Sequence, residues 1–383
     1  MKRNKILILG GGYGGLAVMR KLARCLPSFH YSICLIDESP FHTIKTRFHE
    51  LAVYRNRGRF IRFSIGIFTQ SAGAEFINAR VQAIRFSRRS VTTSKGDYPY
   101  DILVITLGGA TNYFGVRGAR ANTVNLQTFE AAVECSHRIE QLGLVDARGP
   151  IRRFIICGAG IEGIEVAAML RQYAGPKRCE ILIIEKNDQI MARSQCRDRQ
   201  KEYMYEYLRK NGIQLRLASA IRQVGKRGVF LESGDKIESD LVVWCSGVSR
   251  VPVTGIPKRK AFEVNESLQG KEHPEVFSIG DFATVDSGAR WSNLLSAQRA
   301  LYQADLVAEN VVRLERGRQG KPEDYSPKGE LIGLGDFDGV GIVGGIPVKG
   351  RAAALAKKAN EAKYLKDLFQ DVPRSLLRAV RRS

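Results

Sequence analysis

The sequence lacks several features that would assign it to other classes of protein. Its 383 residues include seven cysteines, an odd number without a C-x-x-C pair, and only five histidines. This composition gives no disulfide framework and no zinc-ligand spacing, so we predict no metal site and a reduced, cytosol-facing compartment. No uninterrupted apolar run reaches the length of a transmembrane helix, and we predict that any attachment to a membrane is peripheral.

Acidic residues are scarce relative to basic ones. The chain has 60 Lys and Arg against 39 Asp and Glu, which gives a net charge of +21. Such a surface attracts acidic lipid, nucleic acid or an anionic substrate, and the charge alone does not choose among them. The length and a hydrophobic content of 44% suit two globular domains of medium size.

What the sequence does contain is a glycine cluster at the end of an apolar strand. In KILILGGGYGG (5–15) a predicted strand runs into Gly10, Gly12 and Gly15, ahead of a predicted helix. G-x-G-x-x-G in this strand–turn–helix context is typical of a loop that binds the pyrophosphate of a dinucleotide. The next predicted strand ends in Asp37, 22 residues after Gly15, where such folds bind a ribose hydroxyl.

The pattern occurs a second time. The segment RFIICGAGIEG (153–163) repeats the glycine spacing at Gly158, Gly160 and Gly163, and the following strand, CEILIIE, ends in Glu185. The acid again follows the third glycine by 22 residues. Two matched copies indicate two dinucleotides, usually a flavin and a nicotinamide, whereas turns that serve packing alone would explain one copy better than two.

Further strands end in glycine. YDILVIT (100–106) precedes Gly108, a similar strand precedes Gly247, and VFSIGD (276–281) ends in Gly280 and Asp281. The Gly-Asp pair would place a carboxylate on the ribityl hydroxyls of a flavin, although a simple turn also explains it.

These segments predict an α/β protein with two Rossmann-like domains, the second inserted in the first. We assign residues 1–118 and 255–330 to an FAD-binding domain and 119–254 to an NADH-binding domain. Residues 331–383 form a C-terminal amphipathic region facing quinone and membrane.

The C-terminal region carries an apolar stripe followed by basic residues. The predicted stripe consists of Ala352, Leu355, Ala359, Ala362, Leu365, Leu368 and Phe369. Beyond Pro373 the apolar residues are Leu376, Leu377 and Val380, among Arg374, Arg378, Arg381 and Arg382. A basic amphipathic tail can lie in an anionic membrane interface, the interpretation we favour, and the alternative is a stripe packed on the protein's own core.

In these motifs the chain resembles the type II NADH:quinone oxidoreductases, also called alternative NADH dehydrogenases. The matching segments are GGGYGGL (10–16), LIDES (35–39), FHTIKTRFHELA (41–52), YDILVITLGGATNYFGV (100–116), GAGIEGIE (158–165), VVWCSGV (242–248), IGDFA (279–283) and SAQRALYQ (296–303). They span nearly the whole chain in order. The resemblance implies bound FAD, oxidation of NADH, a membrane quinone as acceptor, peripheral (monotopic) attachment to the cytoplasmic face of the cell membrane, and no proton pumping.

The resemblance also implies which residues act. Hydride would pass from nicotinamide to flavin N5 and the electrons then to quinone, with Glu165 assisting proton delivery and Gln298 lying where flavin and quinone meet. The alternative is that Glu165 only caps or pairs near a helix start, where a carboxylate is favoured. Besides the residues named above, the predicted cofactor contacts are Tyr13, Gly14, Glu38, Thr46, Val81 and Ala297.

Two departures from the family pattern concern the acceptor and the nucleotide. Tyr302 stands where the family's quinone motif usually has glutamine, and Gln303 follows it. The charge of Glu185 would repel the 2′-phosphate of NADPH, but Lys186 beside it could offset that charge. The identity of the quinone, the strictness for NADH and the choice between monomer and homodimer stay open.

Two alternative functions are weighed against this one. A sulfide:quinone or other NAD(P)H reductase of the same fold would need well-placed cysteines, and Cys157 and Cys245 have simpler explanations as core residues. A non-enzymatic flavoprotein resembling apoptosis-inducing factor would use the basic charge to bind nucleic acid. We expect no nucleic-acid partner, because no interleaved run of basic and aromatic residues occurs.

Overall fold

The computed structural model describes residues 3–144, 149–192, 194–256, 262–288, 291 and 293–376. The helices are α1 (Tyr13–Cys25), α2 (Phe48–Leu51), α3 (Ile65–Ser71), α4 (Ala119–Asn122), α5 (Phe129–Gln141), α6 (Ile161–Ala174), α7 (Asp198–Lys210), α8 (Ala297–Glu315) and α9 (Arg351–Phe369).

The strands are short and numerous. In chain order they are β1 (Asn4–Leu9), β2 (Tyr31–Asp37), β3 (Phe41–Thr43), β4 (Arg62–Ser64), β5 (Glu75–Asn78), β6 (Val81–Arg85), β7 (Ser90–Thr93), β8 (Gly96–Pro99), β9 (Ile102–Ile105), β10 (Gly109–Thr111), β11 (Val124–Asn125), β12 (Arg152–Cys157), β13 (Cys179–Ile184), β14 (Ile213–Arg216), β15 (Ile221–Gly225), β16 (Gly228–Leu231), β17 (Lys236–Glu238), β18 (Leu241–Trp244), β19 (Val248–Arg250), β20 (Phe262–Val264), β21 (Val276–Ser278), β22 (Ala283–Val285), β23 (Gly329–Gly333), β24 (Gly339–Val343) and β25 (Ile346–Lys349).

The first large sheet has the order β21-β9-β1-β2-β5, with every neighbouring pair parallel. Strand β1 is apolar throughout its second half because both faces of the sheet are covered. Ile6 and Ile8 enter one hydrophobic core, and Leu7 and Leu9 enter the core on the other face. The fifth strand, β21, joins this sheet only after the chain has completed the second one.

The second large sheet has the order β11-β18-β12-β13-β14 and is also entirely parallel. Its central strand, β12, repeats the alternation of β1: Phe154 and Ile156 face one core, and Ile155 and Cys157 face the other. The antiparallel pair β10–β19 lies between the two sheet units. This is the architecture predicted from the two glycine motifs.

The C-terminal part contributes a three-stranded antiparallel sheet, β23-β24-β25, against which α9 packs. The distal end of α9 lies on the first domain, where the ring of Phe369 is 5.1 Å from that of Phe63 and 5.3 Å from that of Phe68. Among the described residues, no helix combines the length and apolar character needed to cross a membrane. Leu377, Val380 and the last three tail arginines of the predicted amphipathic segment lie outside the described residues.

Candidate functional site

The first glycine loop joins β1 to α1 and is shaped by close backbone packing. Gly10 has a φ of 104°, and a Cβ there would overlap the carbonyl oxygen of Thr106. A Cβ on Gly15 would overlap the carbonyl oxygen of Gly10, so the turn requires glycine at both positions. Gly12 is the N-cap of α1 and has no side chain of its own to cap the helix. The first N–H groups of α1 are therefore directed over the loop, an arrangement that binds phosphate.

Asp37 ends β2 beside this loop. Its Oδ2 accepts the N–H of Gly11 at 2.6 Å, and its Oδ1 accepts the N–H of Ser39 at 2.7 Å. Burial raises the pKa of Asp37, although both hydrogen bonds act in the opposite direction. The carboxylate is fixed at the mouth of the loop, where dinucleotide folds bind a ribose hydroxyl.

Four further residues predicted to contact the cofactor are Tyr13, Thr46, Glu38 and Val81. Tyr13 begins α1, and its hydroxyl lies 3.4 Å from Oγ1 of Thr46. Glu38 follows Asp37 and pairs with exposed Arg80 at 2.7 Å. Val81, which follows Arg80 in the sequence, is the first residue of β6.

The Gly-Asp pair after β21 lies against the start of α8. The N–H of Gly280 donates to Oε1 of Gln303 at 2.8 Å, and burial raises the pKa of Asp281. Gly14 approaches the same region, because a Cβ on it would lie 2.9 Å from Cδ1 of Ile279. Gln303 has no predicted role beyond its displaced motif position, but its buried side chain braces the backbone of the predicted ribityl site.

The second loop reproduces the first. Gly158 also has a φ of 104°, and a Cβ on Gly163 would overlap the carbonyl oxygen of Gly158. Gly160 is the N-cap of α6. Oε2 of Glu185 accepts the N–H of Ala159 at 2.8 Å, and Oε1 accepts the N–H of Asn187 at 2.9 Å.

Gly108 and Gly247 lie where the chain passes between the two sheet units. Each directly precedes one strand of the β10–β19 pair. A Cβ on the following residue, Gly109, would lie 3.5 Å from Cβ of Asp281. Both predicted glycines are therefore next to the segment that carries the Gly-Asp pair.

Gln298, which the resemblance places where flavin and quinone meet, uses its amide oxygen in hydrogen bonds within the protein. It follows Ala297, the first residue of α8. Its Oε1 accepts the hydroxyl hydrogen of Tyr325 at 2.9 Å and the N–H of Lys328 at 2.8 Å. Within the described ranges no hydrogen bond joins it to Glu165, so the structure ties Gln298 to the segment that leads into β23.

Glu165 lies in α6, buried between the two domains and α9. Its Oε1 accepts the N–H of Gly333 at 2.8 Å and also contacts Nζ of Lys357. Its Oε2 lies 3.2 Å from Nδ1 of His49, whose pKa is lowered well below 6.5 by burial and by Lys357. Since His49 is then neutral, this contact is not an ion pair, and the hydrogen bonds to Glu165 come from Gly333 and Lys357. Groups from three elements, α2, β23 and α9, therefore meet at this one carboxylate, which a simple helix cap would not require.

Glu162 is a second acid of α6 that the sequence analysis did not single out. Burial, together with the nearby charge of Glu165, raises its pKa to about 7, and it shares a hydrogen bond with the thiol of Cys245. Its signal in the sequence was only an acid in the first turn after the glycine loop, a position that helix starts favour in any case.

The cysteines give no support to redox chemistry of their own. All seven are free thiols. Burial raises the pKa of Cys157 and, together with Glu162, that of Cys245, so both thiols stay protonated and unreactive. The two are core residues, as the sequence suggested.

The C-terminal helix closes the site with polar side chains. Along α9, Lys357 contacts Glu165, Glu361 lies 3.7 Å from Nε of Arg47, and the hydroxyl of Tyr364 lies 2.9 Å from Nε2 of His42. Spacings of four and three residues put these side chains on one face of the helix. The sequence analysis missed this face because its signal is polar.

The predicted apolar stripe of α9 is not a single contact face. Its first four members, Ala352, Leu355, Ala359 and Ala362, are exposed, whereas Leu368 is buried. Because most members are three residues apart and a turn takes 3.6, the stripe winds around the helix. Only its end packs on the protein's own core.

Comparison with known proteins gives one family and a consistent set of relatives. Residues 4–304 match the pyridine nucleotide-disulphide oxidoreductase family. Among curated relatives, proteins named type II NADH:quinone oxidoreductase from Staphylococcus haemolyticus (strain JCSC1435) and Staphylococcus aureus (strain NCTC 8325 / PS 47) are 28% and 26% identical. Both alignments cover 93% of this chain and 94% of the relative. The predicted resemblance is confirmed.

Two solved structures illustrate the shared fold. NDH2 from Plasmodium falciparum in complex with NADH superposes with a TM-score of 0.84 at 16% identity, covering 97% of this chain and 98% of that one. The sulfide:quinone oxidoreductase from Aquifex aeolicus superposes with a TM-score of 0.78 at 19% identity, covering 96% and 92%. The predicted two-domain α/β fold is confirmed.

Proposed function

The chain belongs to the pyridine nucleotide-disulphide oxidoreductase family, and we propose that it is an FAD-dependent enzyme that oxidises NADH and reduces a membrane quinone. The observation that carries the proposal is the pair of matching glycine loops with Glu165 buried between the domains. The reaction is proposed to proceed without proton pumping.

FAD fits the first domain. The uncapped start of α1 would hold its pyrophosphate, Asp37 its ribose and Asp281 its ribityl chain. When bound, FAD supplies acceptance of hydride at flavin N5 and transfer of two electrons to a quinone. The residues around it position the reactants and exclude water.

NADH fits the second loop. The N–H groups at the start of α6 would bind its pyrophosphate, and Glu185 its ribose hydroxyls. Two backbone hydrogen bonds fix the carboxylate of Glu185 at the loop. A fixed negative charge there disfavours the 2′-phosphate of NADPH, so NADH is the proposed donor.

Glu165 is proposed to assist proton delivery to the quinone oxygen. It lies at the contact of three elements, beside His49, and accepts hydrogen bonds from Gly333 and Lys357. Both of these donors belong to the C-terminal region, so the arrangement forms only when that region is docked.

The C-terminal region is proposed to attach the protein to the cytoplasmic face of the cell membrane. It exposes large apolar side chains, with 66% of Leu355 and 67% of Ile346 accessible. Exposed Lys349, Arg351 and Lys358 lie nearby in sequence. Apolar side chains among basic ones suit an anionic bilayer surface.

The membrane proposal is tested with outer-face variants, because the inner face of α9 contributes to the site. Leu355→Ser combined with Ile346→Ser should weaken cosedimentation with anionic liposomes and leave reduction of a water-soluble quinone unchanged. Exposed Phe29→Ser, outside this region, is the control. Equal liposome binding by all three proteins, or binding to DNA instead, would contradict it.

The function itself is tested by following the flavin absorbance of the purified protein without oxygen. NADH should bleach the yellow colour, and a short-chain quinone should restore it. Reduction by sulfide but not by NADH would assign the chain to the sulfide:quinone branch of the fold. Absence of flavin from the purified protein would contradict the reading of both the first loop and Asp281.

A further inference from the structure

One exposed aromatic residue lies close to the second loop and has no part in the reaction as proposed so far. Phe114 follows β10, in the segment TNYFGV (111–116) by which the chain passes from the first domain to the second. It is 63% exposed. Its φ is 49°, in the left-handed region that bulky residues rarely adopt. The fold therefore holds a large apolar ring at the surface in an unfavourable backbone conformation.

Core packing does not account for this conformation. Met191 and Leu268 also have positive φ values, of 54° and 65°, but each is buried in a hydrophobic core whose contacts can offset the strain. Phe114 gains no such burial. Backbone strain that the surrounding structure maintains without a packing gain is concentrated at ligand-binding sites. The conformation of Phe114 therefore points to a ligand for its ring.

Hydrogen bonds fasten the turn that carries Phe114 to the end of β18. The N–H of Phe114 donates to Oδ1 of Asn112 at 2.8 Å, and the N–H of Asn112 donates to the carbonyl oxygen of Gly247 at 3.2 Å. Nε1 of Trp244 donates to the carbonyl oxygen of Asn112 at 2.9 Å. A Cβ on Gly247 would lie 2.4 Å from Cζ of Phe114, so the ring lies directly against this glycine. The position of the ring is thus fixed relative to the second domain.

The strand order indicates which half of a dinucleotide would meet the ring. In the second sheet β13 and β18 flank β12 on opposite sides. A dinucleotide lies across the carboxyl ends of such strands. With its adenosine ribose at Glu185, after β13, and its pyrophosphate at the loop after β12, its nicotinamide half extends over the end of β18. The loop and this strand end are in contact, because a Cβ on Gly158 would lie 2.7 Å from Oγ of Ser246, the residue before Gly247.

We propose that Phe114 binds the nicotinamide riboside half of NADH, packing against it at the end of β18 while Glu185 holds the adenosine half. This inference rests on the proposed function and adds a binding residue to its donor site. A neutral aromatic ring suits this half, because it packs on planar and apolar surface and brings no negative charge near the pyrophosphate. The segment that carries the ring also borders the predicted ribityl site, since a Cβ on Gly109 would lie 3.5 Å from Cβ of Asp281.

Binding of two probes to the holoprotein tests the proposal without turnover. NAD⁺ contains the nicotinamide riboside, whereas ADP is the rest of the molecule without it. In titration calorimetry, Phe114→Ala should bind NAD⁺ about tenfold more weakly and ADP with unchanged affinity. Phe114→Tyr keeps the ring and should bind NAD⁺ like the unaltered protein. An unchanged affinity of Phe114→Ala for NAD⁺, or an equal loss of affinity for both probes, would overturn the proposal.

Kinetics with a matched control separate donor binding from the acceptor step. In Phe114→Ala the KM for NADH should rise about tenfold, whereas the rate at which a short-chain quinone reoxidises the reduced holoenzyme should not change. Phe29→Ala removes a ring that is 66% exposed on the first domain and should alter neither quantity. Slower reoxidation with an unaltered KM would overturn the proposal. Failure of the unaltered protein to bind either NAD⁺ or ADP would instead overturn the proposed donor site at the second loop.

Discussion

The two glycine loops share one backbone plan but are fastened to the molecule differently. In both, the residue after the first glycine donates its N–H to the acid at the end of the next strand: Gly11 to Asp37, and Ala159 to Glu185. The carbonyls of those same residues differ. That of Ala159 accepts the backbone N–H of Met191, which lies in the same domain.

The carbonyl of Gly11 is instead connected to the C-terminal helix. It accepts from Nδ1 of His42 at 3.0 Å, and Nε2 of His42 then accepts the hydroxyl hydrogen of Tyr364 at 2.9 Å. The ring of Tyr13 packs 5.0 Å from that of Tyr364. The first loop is therefore covered by a distant element while the second is completed locally. This difference suits a resident flavin in the first loop and an exchanging nicotinamide in the second.

The largest effect is expected when the third glycine of each loop is replaced by alanine. Gly15→Ala places a Cβ on the Gly10 carbonyl, and Gly163→Ala places one on the Gly158 carbonyl. Each overlap should cost about 1–3 kcal/mol locally and misplace the helix start. We expect Gly15→Ala to be purified without flavin, and Gly163→Ala to keep flavin but bind NADH at least tenfold more weakly. Flavin absorbance per protein and NADH titration measure the two.

The control for this pair is Gly66→Ala in α3. A Cβ there meets Oγ of Ser64 at 3.5 Å, an ordinary contact, so flavin content should not change. Loss of flavin from Gly163→Ala would show that the two loops are not independent and would break the comparison.

As the pH is lowered, the first loop should lose stability at a higher pH than the second. Burial lowers the pKa of His42 from 6.5 to about 4, so the folded protein holds it neutral while the unfolded chain protonates it. The free energy of unfolding therefore keeps its full value above pH 6.5. It decreases by up to about 3 kcal/mol as the pH falls toward 4. Thermal unfolding with flavin release, followed across this range, should show the loss. His42→Gln should reduce this loss, leaving the part due to buried His49, whereas exposed His137→Gln should not change it.

Removing one hydroxyl tests the link between α9 and the first loop. Tyr364→Phe leaves Nε2 of buried His42 without its donor, at a cost of about 1–3 kcal/mol. We expect FAD to dissociate about tenfold faster, with NADH affinity unchanged. Tyr173→Phe, which alters a half-buried tyrosine of α6, is the control. Equal FAD dissociation from both variants would refute a role for α9 in flavin retention.

The smallest expected effect concerns the acid of the second loop. Glu185→Gln keeps one oxygen that can accept the N–H of Ala159, loses the acceptor oxygen that faces the N–H of Asn187, and removes the charge that disfavours a 2′-phosphate. The ratio of kcat/KM for NADH to that for NADPH should fall about tenfold, with flavin content unchanged. An unaltered ratio would mean that Lys186 already offsets the charge of Glu185.

The features that local chemistry specifies were predictable. Both loops follow from glycine spacing after an apolar run, because the turn geometry and the acid at the next strand are confined to short stretches of chain. The start of α8 is harder to place from sequence. Apolar residues at helical spacing predict a helix over 293–314, but α8 begins at Ala297 after the N-cap Ser296. Its oxygen accepts the N–H of Arg299 at 3.1 Å, the usual signal for a helix start.

The face of α9 that meets the site was not predictable. An apolar pattern predicts that apolar residues face inward. On α9, however, three polar side chains face the interior because each has a partner there: Lys357 with Glu165, Glu361 with Arg47, and Tyr364 with His42. Those partners lie far away in sequence, and buried polar side chains are tolerated only where such partners exist.

The sequence by itself determined two dinucleotide loops, their acids and the α/β fold, since each depends on neighbouring residues and strand order. Only the tertiary structure decided that α9 closes the first loop, that Gln298 bonds to Lys328, and that Glu165 is shared by three elements. The physical reason is that a side chain's partners are set by packing across the whole chain, whereas a turn is set by the residues within it.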